Sequence, residues 1–208
     1  ELREPANCTA KRLVELFEEG LKRCGLEYAD VWRLMALERG GRHSQQDVDA
    51  MIEALATAKQ KGLCRFTGFS THDRPWAKKL IETYPEQMEV IVTPYTAKTK
   101  VVDDADGLWA AMKKQDVGWF GIKPYASGSL FKGDGTPASP QAEEDNRAAR
   151  LALRYILCNP AITAPIPGMI TPEQVDNASL AVMERRELDA QERAELDRIN
   201  DRAWATLQ

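Results

Sequence analysis

The chain has 208 residues, 43% of them hydrophobic and 29% charged, with a formal charge of −4. That composition suits a globular protein with one sizeable core, and the length allows one domain or at most two small ones. Charges of both signs are interspersed and no basic stripe runs along any segment, so nucleic acid is not an expected partner. No apolar run approaches the ~20 residues of a membrane span, and the charged start Glu1-Leu2-Arg3-Glu4-Pro5 has no apolar h-region. Neither a membrane partner nor a signal peptide is expected. Cys8, Cys24, Cys64 and Cys158 are far apart and form no C-x-x-C pair, which argues against a metal site and for a reduced, cytoplasmic setting. Cys24 and Cys64 sit among apolar neighbours and read as small buried hydrophobes.

Thr9 to Arg23 carries Leu13, Leu16, Phe17 and Leu21 at helical spacing, with Thr9 as N-cap and Gly25 as the stop. Tyr28 to Leu37 is a short apolar run fit for a buried strand. Gln45 to Lys61 is helical, with Val48, Met51, Ile52, Leu55 and Ala58 on one face and Gly62 ending it. Strands follow at Cys64–Ser70, Met88–Tyr95, Val117–Pro124 and Ala161–Gly168. Helices alternate with them at Arg74–Thr83, Asp106–Lys114 and Asn146–Leu157, and two more close the chain at Thr171–Met183 and Asp189–Leu207. Ala126 to Pro140 is dense in turn residues and reads as a surface loop. The run Glu143-Glu144-Asp145 reads as a solvated face.

Continuous apolar strands between amphipathic helices argue for a parallel sheet covered by helices. A doubly wound sheet and a (β/α)₈ barrel both satisfy this order. No strand is followed by G-x-G-x-x-G, which removes the usual dinucleotide fingerprint.

Five segments, in order, resemble the aldo-keto reductase family. They are LKRCGLEYADVWRLM (Leu21–Met35), ALATAKQKGLCRFTGFSTH (Ala54–His72), VTPY (Val92–Tyr95), DVGWFGIKPYASGSL (Asp116–Leu130) and ALRYILCNPAITAPIPGMITPEQVDN (Ala152–Asn177). The resemblance implies a TIM-type (β/α)₈ barrel, here a single partial domain over residues 1–208, holding strands four to eight without the first three βα units. It also implies an oxidoreductase that reduces a small carbonyl substrate by hydride from a nicotinamide nucleotide, NADP(H) or NAD(H), with no metal. In that family a tyrosine donates the proton, tuned by a lysine and an aspartate, and a histidine orients the carbonyl. A neighbouring ammonium lowers a tyrosine pKa from ~10 towards neutrality.

The tyrosine, lysine and aspartate belong to the first three units, and no catalytic residue is expected within this sequence. The histidine's place, in a Leu-His pair, is taken by Leu34-Met35, and a thioether donates no hydrogen bond. Tyr28 reads as a packing residue and His43 as an exposed loop histidine.

The cofactor side matches better. The resemblance places Ser70 and Thr71 at the family's Ser-Asn pair for the nicotinamide carboxamide, and Val92 where a glutamine is usual. Lys123, Pro124, Tyr125, Ser127, Gly128 and Leu130 match the loop around the pyrophosphate. Gly168, Met169, Thr171, Gln174 and Asn177 match the nucleotide loop opening a helix, whose N-terminus suits a phosphate. Without a gap, Gln174 replaces a frequent arginine and Asn177 an acid; with a one-residue deletion, Asn177 takes the family's asparagine. NADP and NAD both stay open. So do two functions: a reductase, or a nucleotide- or ligand-binding relative without turnover, including an inactive fragment. An incomplete barrel also implies self-association through its open edge.

Overall fold

The computed structural model describes residues 8–35, 43–97, 107–184 and 186–205. The strand end expected at 36–37, the helix start at 106 and the chain end at 206–207 lie outside these residues. The fold is α/β. Among the described residues, five strands and seven α-helices alternate as the sequence predicts. Contacts divide the chain into two compact units, Glu1–Thr93 with Asp104–Gly118, and Pro94–Asp103 with Trp119–Gln208.

The first unit begins with α1 (Ala10–Cys24), capped by the Thr9 hydroxyl and ended by Gly25 at φ 68°. Left-handed backbone of that kind favours a residue without Cβ. β1 (Ala29–Leu34) and β2 (Cys64–Ser70) run parallel, with Val31 opposite Phe66 and Leu34 opposite Phe69. Between them α2 (Gln45–Gln60) starts with a capping box: the Ser44 hydroxyl accepts from the Asp47 amide, and the Asp47 carboxylate accepts from the Ser44 amide. β3 (Val90–Pro94) pairs with β2 in parallel, and α3 (Arg74–Thr83) and α4 (Leu108–Gln115) pack together. Leu13, Met51, Leu55, Phe69, Leu80, Ile81, Ile91 and Leu108 are almost completely buried. Each such side chain contributes about 1.5–3 kcal/mol relative to exposure.

In the second unit, β4 (Gly118–Ile122) pairs in parallel with β5 (Ala164–Ile166), Phe120 opposite Ala164. Helices α5 (Ala142–Leu157), α6 (Pro172–Met183) and α7 (Ala190–Ala205) follow. Leu151, Ala152 and Leu153 of α5 pack with Ala178 and Ala181 of α6 and Leu196 and Ile199 of α7. A buried ion cluster ties α5 to α7. The Arg154 guanidinium donates twice to the Glu192 carboxylate, both at 2.8 Å, and Arg186 donates to the same carboxylate at 2.9 Å.

Five expectations change. β1 is not a buried strand. Only Leu34 is buried, Trp32 stacks on Phe17 at 4.3 Å, and Val31 and its partner Phe66 stay 36% and 43% exposed. Tyr28 is exposed rather than packed, and Cys24 lies exposed on the last turn of α1 while Cys64 is buried. β5 is three residues long, because Asn159 folds the chain back: its carboxamide accepts from the Ala161 amide at 2.9 Å, and its carbonyl from Ile162 at 3.1 Å. Finally, α5 starts at Ala142, before the expected Asn146. Glu143, Glu144 and Asp145 form its first turn, where carboxylates are stabilised by the helix dipole.

Candidate functional site

The second unit contains a pocket of about 470 Å³. Three segments wall it: the loop after β4, the start of α5, and the β5–α6 connection. Tyr125, Gly168, Met169, Thr171, Gln174 and Asn177, all assigned from sequence, line it together. Lys123, Ser127, Gly128 and Leu130 are not among the lining residues. Lys123, Ser127 and Gly128 are exposed, and Leu130 is core.

The loop after β4 is backbone under tension. Lys123, Ala126 and Ser127 all have positive φ, at 58°, 49° and 59°, followed by Gly128 at 90°. Residues with a Cβ visit this region at a cost of about 1–3 kcal/mol each, and such strain clusters at ligand sites. The turn is held by Tyr125, whose carbonyl accepts from the Gly128 amide at 2.9 Å. The Tyr125 ring is buried against Phe131, and burial pushes its hydroxyl up to about 12.

Residues 131–140 are anchored at two points. Asp145 of α5 accepts from the Lys132 and Gly133 amides, both at 2.8 Å. Gln174 of α6 donates to the Gly135 carbonyl at 3.0 Å and accepts from the Ile170 amide at 2.7 Å. The Thr171 hydroxyl caps α6, accepting from the Gln174 amide at 3.3 Å. Hydrogen bonds from backbone and from Thr171 hold the Glu173 carboxyl below the usual carboxylate range. Asn177 is buried: its amide nitrogen donates to the Asn146 carbonyl at 3.0 Å, and its oxygen accepts from Arg150. Asp145, read from sequence as part of a solvated face, Asn146, read as a helix start, and the loop residues Phe131 and Gly135 were not assigned to the site. Their signal was the Gly-Asp-Gly turn followed by an acidic helix start.

Ser70 and Thr71 belong to the first unit. Ser70 ends β2 opposite Val92, and its hydroxyl accepts from the Arg33 guanidinium at 3.3 Å. The Thr71 amide donates to the Val92 carbonyl at 3.2 Å, and the Thr71 hydroxyl accepts from the Asp73 amide at 3.1 Å. Arg33 was also missed, although it and Asp30 are the two charges inside an otherwise apolar run. Met35 is 65% exposed. Among the described residues, no group of three or more metal-ligating side chains occurs, and no helix is long and apolar enough to cross a membrane.

The chain belongs to the aldo/keto reductase family, whose model matches residues 3–201. It is 26% identical over 201 residues to the L-galactose dehydrogenase of Arabidopsis thaliana, covering 89% of this chain and 62% of that protein. The chain therefore spans less than two thirds of that relative's length. Solved structures of similar fold include an aldo-keto reductase from Bacillus halodurans in holo form, at TM-score 0.67 and 20% identity over 92% of this chain and 68% of that one. Another is the aldo-keto reductase MGS-M4 from a Medee basin deep-sea metagenome library, at TM-score 0.67 and 18% identity over 94% of this chain and 68% of that one.

Proposed function

We propose that this chain is the nucleotide-binding part of an NAD(P)H-dependent oxidoreductase that interconverts a carbonyl and an alcohol by hydride transfer. One observation carries the reading. Six residues assigned from sequence to the nucleotide, drawn from loops after two different strands, line one pocket. A concave site of this size, walled by polar as well as apolar side chains, suits one half of a dinucleotide. The family supports hydride chemistry, and the name of the plant relative supports an alcohol or its carbonyl as substrate.

In this reading the five strands correspond to strands four to eight of a TIM-type barrel, and residues 1–208 form one partial barrel domain. Lys123, Ser127, Gly128 and the α6 N-terminus meet the phosphates, and Ser70 and Thr71 the nicotinamide end. We assign no catalytic tyrosine, lysine or aspartate to this sequence, and the segment alone does not reduce carbonyls. Met35 at the histidine's place, with Thr71 and Val92 beside the carboxamide position, favours a second reading: a nucleotide- or ligand-binding relative without turnover. The exposed Val31–Phe66 pair supports self-association of the isolated segment. Free thiols at all four cysteines support a reducing, cytoplasmic setting.

The test is steady-state nicotinamide oxidation by the full-length protein with a panel of aldehydes and aldoses. Turnover supports the reductase. Tight nucleotide binding without turnover supports the second reading.

A further inference from the structure

The charge of the pocket has a consequence for which nucleotide it accepts. Among the described residues, Glu143, Asp145 and Glu173 line the pocket and no lysine or arginine does. Glu143 and Glu173 are exposed at the starts of α5 and α6. Asp145 accepts the Lys132 and Gly133 amides with its two carboxylate oxygens. Arg150 is already engaged: it donates to the Asn177 oxygen and lies 3.7 Å from Glu143. Glu173 lies in the first turn of α6, on the pocket wall.

We propose that this pocket selects the unphosphorylated adenosine ribose, so that the protein uses NAD(H) in preference to NADP(H). The proposal rests on the nucleotide reading of the pocket given above. A 2′-phosphate would bring about two negative charges to a wall holding three carboxylates, with no free guanidinium or ammonium in the lining to receive it. A 2′,3′-diol instead offers two hydroxyl donors, and carboxylates accept them. Discrimination then comes from repulsion of the wrong nucleotide as much as from contacts to the right one.

The test uses the full-length protein. NADH and NADPH are titrated separately at low salt, followed by nicotinamide fluorescence, for the parent and for the double variant Glu143→Gln with Glu173→Gln. The ratio of the two affinities is the readout, because any unfolded fraction in the variant weakens both equally. The parent is expected to bind NADH at least about ten-fold tighter, and the double variant to narrow that ratio to about two- to three-fold through tighter NADPH binding. NADPH binding as tight as NADH in the parent would overturn the preference while leaving the nucleotide reading intact. A ratio unchanged by the double variant would overturn the part given to these carboxylates. Binding of neither nucleotide would remove both the preference and the reading beneath it.

Discussion

The Gln174 side chain on α6 donates to the Gly135 carbonyl at 3.0 Å, across 39 residues of sequence. With its oxygen on the Ile170 amide, the same carboxamide joins the loop after β4 to the loop before α6. Gln174→Ala removes both bonds. The expected loss of global stability is small, about 1–2 kcal/mol for two partly exposed hydrogen bonds. The larger effect is local: amide exchange in residues 131–140 should accelerate, and nucleotide should dissociate faster. Unchanged exchange in that loop would show that Asp145 alone holds it.

Gly68 of β2 pairs with Val90 of β3. A Cβ there would sit 1.9 Å from the Val90 carbonyl oxygen, a backbone atom that cannot swing aside. Gly68→Ala should therefore break the β2–β3 ladder and cost more than about 3 kcal/mol, in the range where backbone clashes lie. Urea denaturation of the purified variant, or its failure to accumulate as soluble protein, is the check.

Glu192 accepts from Arg154 and Arg186, and these guanidinium groups hold its carboxyl far below the usual carboxylate range. Its folded pKa is depressed, so its contribution is complete above the unfolded value near ~4.3 and is lost as pH falls below it. Stability should decline with acid from about pH 5, and Glu192→Gln should flatten that decline. Glu192→Ala leaves Arg154, whose side chain is only 3% exposed, with Glu184 at 3.8 Å and the Arg186 and Glu187 carbonyls as partners, and should cost about 3 kcal/mol. Thermal melts across the acid range measure both effects.

Tyr95 and Tyr125 give the opposite limb. Burial pushes each hydroxyl up to about 12, and Tyr95 also accepts from the Asn159 amide at 2.6 Å. Both folded values are raised, so the unfolded chain ionises first. Stability should hold to about pH 10 and fall as pH rises towards 12. Tyr125→Phe should remove part of that alkaline loss, read as a shallower slope of stability against pH.

The order of elements was legible in the sequence because helix period and capping residues are local. Thr9, Ser44, Asp73 and Thr171 each cap the helix that follows. The burial of β1 was not legible. An apolar composition does not say which face finds a neighbour, and Val31 and Phe66 oppose one another on a face that stays open. Within the site, Gly168, Met169, Thr171, Gln174 and Asn177 were readable because they lie on one helix start matched to the family. Asp145, Asn146 and Gly135 were not, since their roles depend on hydrogen bonds reaching 12 residues or more along the chain. Leu130 followed the motif, yet its side chain belongs to the core of the second unit.

The central claim is that the pocket between residues 125–149 and 168–177 holds the nucleotide. Hydrogen–deuterium exchange of the full-length protein, with and without saturating NADH, tests it most directly. The account predicts protection confined mainly to residues 123–142 and 168–177, with a smaller effect at Ser70 and Thr71. NADH binding that leaves exchange in 131–140 and 168–177 unchanged would contradict it.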